Sequence, residues 1–222
     1  MKKNLTFSWL LLTIFALFSF QTFAKEFKGV ITFKITVEGS AVTDEMKTMM
    51  PKTMTMTIKG NKSRSEMIMS MGKTISISDG DAKTAITLMD MMGQKIAIQS
   101  NYEEIMKDMA ESPEAKVEVT SETKDILGYV CKKAIITIPE EDMEIIIYFT
   151  EELGSKELNF SNPQFKDING LMLEFEIPNE MFNMHFSAVS VEKKNVDDSE
   201  FAIPEGYQIK TKEEMKGMFG GG

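Results

Sequence analysis

Residues Thr53 to Gln99 read TMTMTIKGNKSRSEMIMSMGKTISISDGDAKTAITLMDMMGQKIAIQ, and their alternation decides the fold. Met54, Met56 and Ile58 fall on one face of a strand and the threonines between them on the other, the pattern of a sheet covered on one side. Met67-Ile68-Met69-Ser70-Met71, Ile75-Ser76-Ile77, Ile86-Thr87-Leu88 and Ile96-Ala97-Ile98 supply further short strands. Lys59-Gly60-Asn61, Asp79-Gly80 and Asp90 to Gly93 are the turns, so the stretch reads as an antiparallel meander. Lys62, Arg64 and Glu66 form a polar ladder opposite Met67, Met69 and Met71. Methionine does here much of what valine and isoleucine usually do. An unbranched thioether packs adaptably, and a methionine-surfaced sheet suggests a face that meets irregular or changing partners.

Outward from the meander the same period recurs. Phe27 to Glu38 alternates as a long first strand that ends at Gly39. Ser40 to Pro51 is polar, with Met46, Met49 and Met50 fitting a helical turn or a flap. From Asn101 to Glu111 the period changes: Tyr102, Ile105, Met106 and Met109 recur at helical spacing, and Asn101 with Glu104 makes a capping box. Strands resume at Lys116 to Thr120, Cys131 to Ile138, Met143 to Thr150, Leu171 to Ile177 and Phe182 to Ala188. Ile145-Ile146-Ile147 is apolar on both faces, which places that strand centrally in the sheet or under the helix. All six prolines fall outside the strand interiors. Thr211 with Glu214 caps a short last helix around Glu213 to Phe219, and Gly220 to Gly222 follow without structure.

The first 24 residues have the form of an export signal. Met1-Lys2-Lys3 is a positive start, Leu5 to Phe20 an apolar core containing Trp9, and Thr22-Phe23-Ala24 a peptidase site. Lys25 follows the cut, so there is no lipobox, and no later apolar run reaches membrane-spanning length. The domain organisation expected is therefore a cleaved signal at 1–24, one antiparallel β domain at 25–210 and a helical, glycine-ended tail at 211–222. The net charge of −9 becomes more negative once Lys2 and Lys3 are removed, which argues against nucleic acid and against anionic membrane surfaces. Cys131 is the single cysteine, so stability in an oxidising compartment rests on burial rather than on an internal disulfide.

Several segments resemble one family. Gly128-Tyr129-Val130-Cys131-Lys132-Lys133-Ala134 is similar to the Gly-Tyr-x-Cys-x-Lys-Ala stretch of secreted Bacteroidota proteins akin to the GLPGLI family. Tyr148-Phe149-Thr150-Glu151 resembles their Tyr/Trp-Tyr-Thr-acidic strand end. Asp167 to Glu174 matches the Gly-Leu-Pro-Gly-Leu-Ile element at Gly170 and Leu171, with Asn169 in place of proline. Phe201-Ala202-Ile203-Pro204-Glu205-Gly206-Tyr207 resembles their C-terminal Phe-x-x-Pro-x-Gly-Tyr. Such proteins look distantly like the lipoprotein carriers of the bacterial envelope. The resemblance implies a curved antiparallel sheet around an apolar cavity, a periplasmic location and no catalytic residues.

The residues themselves offer little chemistry. His185 is the lone histidine, and alternation sends it to the solvent face with Asn183 and Ser187. Cys131 has no resolving partner and reads as a structural thiol. Glu140-Glu141-Asp142, Asp79-Gly80-Asp81 and Asp197-Asp198 lack the ordered spacing of a calcium loop, and no phosphate-binding or nucleophile motif occurs. No enzyme, metal site or cofactor is expected.

The twenty methionines leave three readings open. One is an adaptable apolar cavity for a lipid, a lipidated protein or a hydrophobic peptide, lined by Met54, Met56, Met67, Met69, Met71, Leu173, Phe175, Met184 and Phe186. The second is thioether capture of Cu(I). The third is a plain core in an envelope structural or interaction protein. The sequence thus predicts a mainly β chain, a curved antiparallel half-barrel of about ten strands with two or three short helices. It predicts non-catalytic binding of an amphiphile in the periplasm.

Overall fold

The fold is that of a computed structural model, which describes residues 26–178, 181–212, 214 and 215. The export signal and the last helix beyond Met215 lie outside the described residues. The first strand, β1 (Lys28–Glu38), leads through a single-turn helix, α1 (Asp44–Met49), into β2 (Thr53–Lys59), β3 (Lys62–Met69), β4 (Gly72–Asp79), β5 (Thr84–Met91) and β6 (Gln94–Ser100). After α2 (Tyr102–Glu111) come β7 (Lys116–Ile126), β8 (Tyr129–Ile138), β9 (Met143–Thr150), β10 (Leu171–Pro178), β11 (Asn183–Lys193) and β12 (Gln208–Lys210).

All twelve strands belong to one sheet in the order β12-β6-β5-β4-β3-β2-β1-β11-β10-β9-β8-β7. β1 is the hinge of this arrangement. The chain meanders from it to one edge, crosses by α2 to the opposite edge, and returns inward until β11 pairs with β1. The expectation of about ten strands is exceeded chiefly because β12, three residues long, is too short to show a period. It pairs with β6 in parallel, whereas every other pairing is antiparallel.

That crossing fixes the shape. Ten inter-strand steps separate β6 from β7, which in a flat sheet is about 48 Å. The ten residues of α2 span about 15 Å and Ser112 to Ala115 at most about 14 Å. The sheet must therefore curve, so that its two arms face each other across α2. It stays open, since β7 and β12 are its two edges and do not pair.

The main core lies on the inner face. Ile31, Phe33 and Ile35 of β1, Met54 and Ile58 of β2, and the inward residues of β8 to β11 are buried there. Over them folds the excursion between β9 and β10, which contributes Leu153, Leu158, Phe165 and Ile168. This excursion reaches across to the far arm, where Ser155 donates to Asn61 at 2.9 Å, Glu157 pairs with Lys83, and Ser161 lies 3.4 Å from Ser78.

A second cluster sits on the outer face. Ile75, Ile77, Leu88 and Ala97 are buried under Phe201, Ile203 and Tyr207 of the segment leading to β12. The sheet is thus covered on both sides, in different places, and not on one side as the alternation of β2 suggests. The reason is that β4 turns its isoleucines outward while β2 turns its methionines inward. Ile146, expected to be buried on a strand apolar on both faces, is 41% exposed. It faces outward beside Ile135, where no segment covers it.

Candidate functional site

Cross-strand register links side chains on the inner face into rows. One row runs Phe33, Met54, Met67, Thr74, Met89, Ile96 across β1 to β6. A second runs Ile31, Met56, Ser65, Ser76, Thr87, Ile98. A third, at the sheet end, runs Met69, Gly72, Met91, Gln94. Phe33, Met54 and Ile96 are buried, but Met67, Thr74 and Met89 between them are only half-buried, and Ser76 is exposed. No inward residue of β3 or β4 is buried. The inner face therefore carries an open strip over β3, β4 and β5, with Ser65, Thr74 and Ser76 as its floor and Met67, Met69, Met89 and Met91 along it.

Local sequence explains the strip. Serine, threonine and glycine occupy the inward positions of β4, so its apolar residues serve the outer cluster instead. Gly72 has φ +148°, and a Cβ there would stand 2.1 Å from the Asp90 carbonyl oxygen. Only glycine fits, so no side chain stands between Met69 and Met91. The adjoining hairpin tips are tied together, with the Met92 N–H donating to the Met71 carbonyl at 3.3 Å. Met71 and Met92 themselves are 48% and 82% exposed.

The outer face is a lattice of ion pairs. Arg64 pairs with Glu66 at 2.7 Å, Lys62 with Asp79 at 3.3 Å, and Lys124 with Glu174 at 2.7 Å. His185 faces Glu176 across the β10–β11 pair at 3.3 Å and is half-buried, so the lone histidine does have a carboxylate beside it. Cys131 is fully buried. Burial, with help from Asp125, Glu152 and Glu174, pushes its thiol up to about 11, far from a reactive thiolate. The acidic pairs are structural: Asp79 accepts from the N–H groups of Asp81 and Ala82, Asp197 caps a 3-10 turn, and Asp198 pairs with Lys59 at 2.9 Å. Among the described residues no group of three or more His, Cys, Asp or Glu side chains is placed to hold a metal ion.

The family model described as "N-glycanase peptide, N-terminal domain" matches residues 43–211. The chain belongs to the N-glycanase N-terminal domain family. This is a different family from the GLPGLI group that its motifs resemble. The name comes from the N-terminal domain of an enzyme, which does not by itself make the domain catalytic. Structures of PNGF-II in two crystal forms match this N-glycanase-type domain with TM-scores of 0.54 and 0.52 at 18% and 19% identity. They cover 88% and 84% of this chain, and the chain covers 34% and 31% of PNGF-II. It thus spans about a third of the length of that protein. LprF from Mycobacterium bovis aligns over 82% of this chain and 90% of its own at 12% identity, with a TM-score of 0.32, too low to show a common fold. No curated protein sequence matches the chain.

Within this N-glycanase-type domain the nine expected lining residues divide. Met54, Leu173, Phe175 and Phe186 are buried in the main core. The Phe175 and Phe186 rings stack at 4.7 Å, and Phe175 also meets Phe33 and Phe165 edge-on. Met56, Met67 and Met184 are half-buried against that core, and Met69 is half-buried on the strip. Met71 is not on a strand: β3 ends at Met69, and Ser70 and Met71 form the hairpin turn. A cleft of about 460 Å³ lies at the other end of the sheet, lined by Glu26, Phe27, Lys28, Glu152, Lys193, Lys194 and Asn195 and by none of the nine.

Sequence reasoning missed Met89, Met91, Thr74, Ser65 and Ser76. Met89-Asp90-Met91 repeats the same-face spacing of Met67-Ile68-Met69, and the turns at 70–71 and 80–83 set the register that brings the pairs level. Reading Asp90 to Gly93 as turn hid that signal. No helix among the described residues is long and apolar enough to cross a membrane.

Proposed function

We propose that the chain is an exported, periplasmic, non-catalytic binding module whose open inner strip takes the apolar part of an amphipathic ligand such as a lipid or a lipidated protein. The observation that carries this reading is the half-buried run of methionines on β3 and β5 flanking a serine and threonine floor on β4. Thioethers adapt to chains of irregular shape, while the hydroxyls hold a polar linkage. The buried Leu173, Phe175 and Phe186 belong to the main core on the other side of β1.

The family match favours a second reading, in which the module works beside an N-glycan-releasing domain and its strip holds an apolar stretch of that enzyme's polypeptide substrate. Native mass spectrometry of the chain purified without detergent, followed by organic extraction, separates the two. A stoichiometric lipid or acylated peptide supports the carrier reading. An apo mass unchanged by incubation with lysophospholipid overturns it, and capture of a hydrophobic glycopeptide under the same conditions favours the second. Ser76→Trp fills the strip from an exposed position without touching either core, and should abolish amphiphile binding while leaving the melting temperature unchanged.

A further inference from the structure

Four of the strip's methionines stand as two same-face pairs. Met67 and Met69 are two residues apart on β3, and Met89 and Met91 on β5. Register places Thr74 between Met67 and Met89, and Gly72 between Met69 and Met91. Each pair is separated by two strand spacings, about 9 to 10 Å between Cα atoms. Each thioether sulfur sits three bonds from its Cα on a flexible stem, so Met69 and Met91 can lean toward each other over Gly72, which has no side chain, to share one ion. Met67 and Met89 stand one rung further in, over the small Thr74.

The donor set is chemically selective. Asp90 stands opposite Lys73 on the other face, where Glu66 is tied to Arg64 and Asp79 to Lys62, so no carboxylate faces the four sulfurs from β3, β4 or β5. An uncharged, all-thioether set does not suit Ca²⁺, Mg²⁺ or Zn²⁺, but suits a soft monovalent cation. The acidic chain, with a net charge of −9, draws cations toward it.

We propose that Met67, Met69, Met89 and Met91 form a thioether site for a soft monovalent metal ion, Cu(I) or its analogue Ag(I), at the Gly72 end of the inner strip. The ion binds by coordination alone, with no change of oxidation state. The site shares its methionines with the proposed amphiphile strip but rests on their register and donor chemistry, not on amphiphile binding.

The test is anaerobic competition for Cu(I) against bicinchoninate at neutral pH, using the full purified chain. The chain should withdraw one equivalent of Cu(I). The quadruple variant Met67→Leu, Met69→Leu, Met89→Leu, Met91→Leu, which nearly conserves side-chain volume, should keep its melting temperature to within a few degrees and lose that binding. Titration with Ag(I) should shift the NMR signals of these four methionine methyl groups in the unmodified chain. Failure to withdraw Cu(I), binding retained by the quadruple variant, or binding abolished by Cys131→Ser would each overturn the site. Should the quadruple variant unfold, the Ag(I) methyl shifts decide alone, and shifts confined to other methionines count against the proposal. The Cu(I) competition is run without amphiphile and the native mass spectrometry without added metal, so failure of the metal site and failure of the amphiphile reading are separately visible.

Discussion

The side-chain amide of Asn159 donates to the Gly170 carbonyl at 2.9 Å and, at the same distance, to the carbonyl of Ile168. Both residues are buried, and Gly170 has φ +154° with a Cβ position only 2.6 Å from the Thr150 carbonyl oxygen. One amide thus closes the base of the excursion that covers the inner core. It also gives a physical meaning to the Gly170-Leu171 motif, whose glycine allows β10 to start hard against the end of β9.

Asn159→Ala should cost about 2 to 4 kcal/mol, because it leaves two buried carbonyls without donors. Urea denaturation reads the loss directly. A cost below about 0.5 kcal/mol would mean that water replaces the amide and that the excursion is held by Leu153, Leu158 and Phe165 alone.

Phe175 stacks on Phe186 with ring planes 3° apart and touches two further rings. Phe175→Ala should therefore destabilise by about 3 to 5 kcal/mol, and Phe175→Leu by clearly less. If these rings line a ligand cavity instead, the alanine variant will lose amphiphile binding while keeping its unfolding midpoint.

Burial raises the Cys131 thiol from an ordinary value of 9.0 to about 11. A group whose pKa is raised on folding contributes stability that is complete below its unfolded pKa and lost as pH rises through its folded one. Between pH 9 and 11 the chain should lose about 3 kcal/mol that Cys131→Ala does not lose. At pH 8 the native thiol should resist an aromatic disulfide reagent and react fully once the chain is unfolded. Rapid labelling of the native chain would contradict the burial.

Burial would raise the Asp79 carboxyl, but the Ala82 N–H, the Lys62 ammonium and the Asp81 N–H outweigh it and hold the group below the usual carboxylate range. Its stabilisation is therefore present above the ordinary pKa and lost as pH falls through the lowered one. Asp79→Ala should cost about 1 to 2 kcal/mol at pH 7 and lessen the fall in stability on acidification. Thermal melts at pH 7 and pH 3 check both parts, and equal costs at the two pH values would sink the electrostatic account.

Much of the architecture is legible before any folding is considered. The capping box of Asn101 and Glu104 is formed in both directions, at 3.0 and 2.9 Å, as the Asn-x-x-Glu spacing predicts. The Thr211 and Glu214 pair closes in the same way. His185 lies on the outer face with Asn183 and Ser187, as alternation requires. The candidate site was only half legible. Met67 and Met69 stand on it, but Phe175 and Phe186 carry the same alternating signature and are sealed in the core, because period two says which residues share a face and not what lies over that face.

The sequence by itself determined the strands other than β12, the turns between them, the two capped helices and the residues on each face, since alternation and turn chemistry act between near neighbours. Only the tertiary structure decided which face is covered and where. The inner core is roofed by a segment that reaches from Ser161 to Ser78, 83 residues away, and the outer cluster by Phe201 to Tyr207. The inner cover meets β4 at Ser78 and the outer cover lies on the opposite face, which leaves the strip from Ser76 to Gly72 open. Covering depends on where the curved sheet brings distant segments, and local pattern holds no record of that.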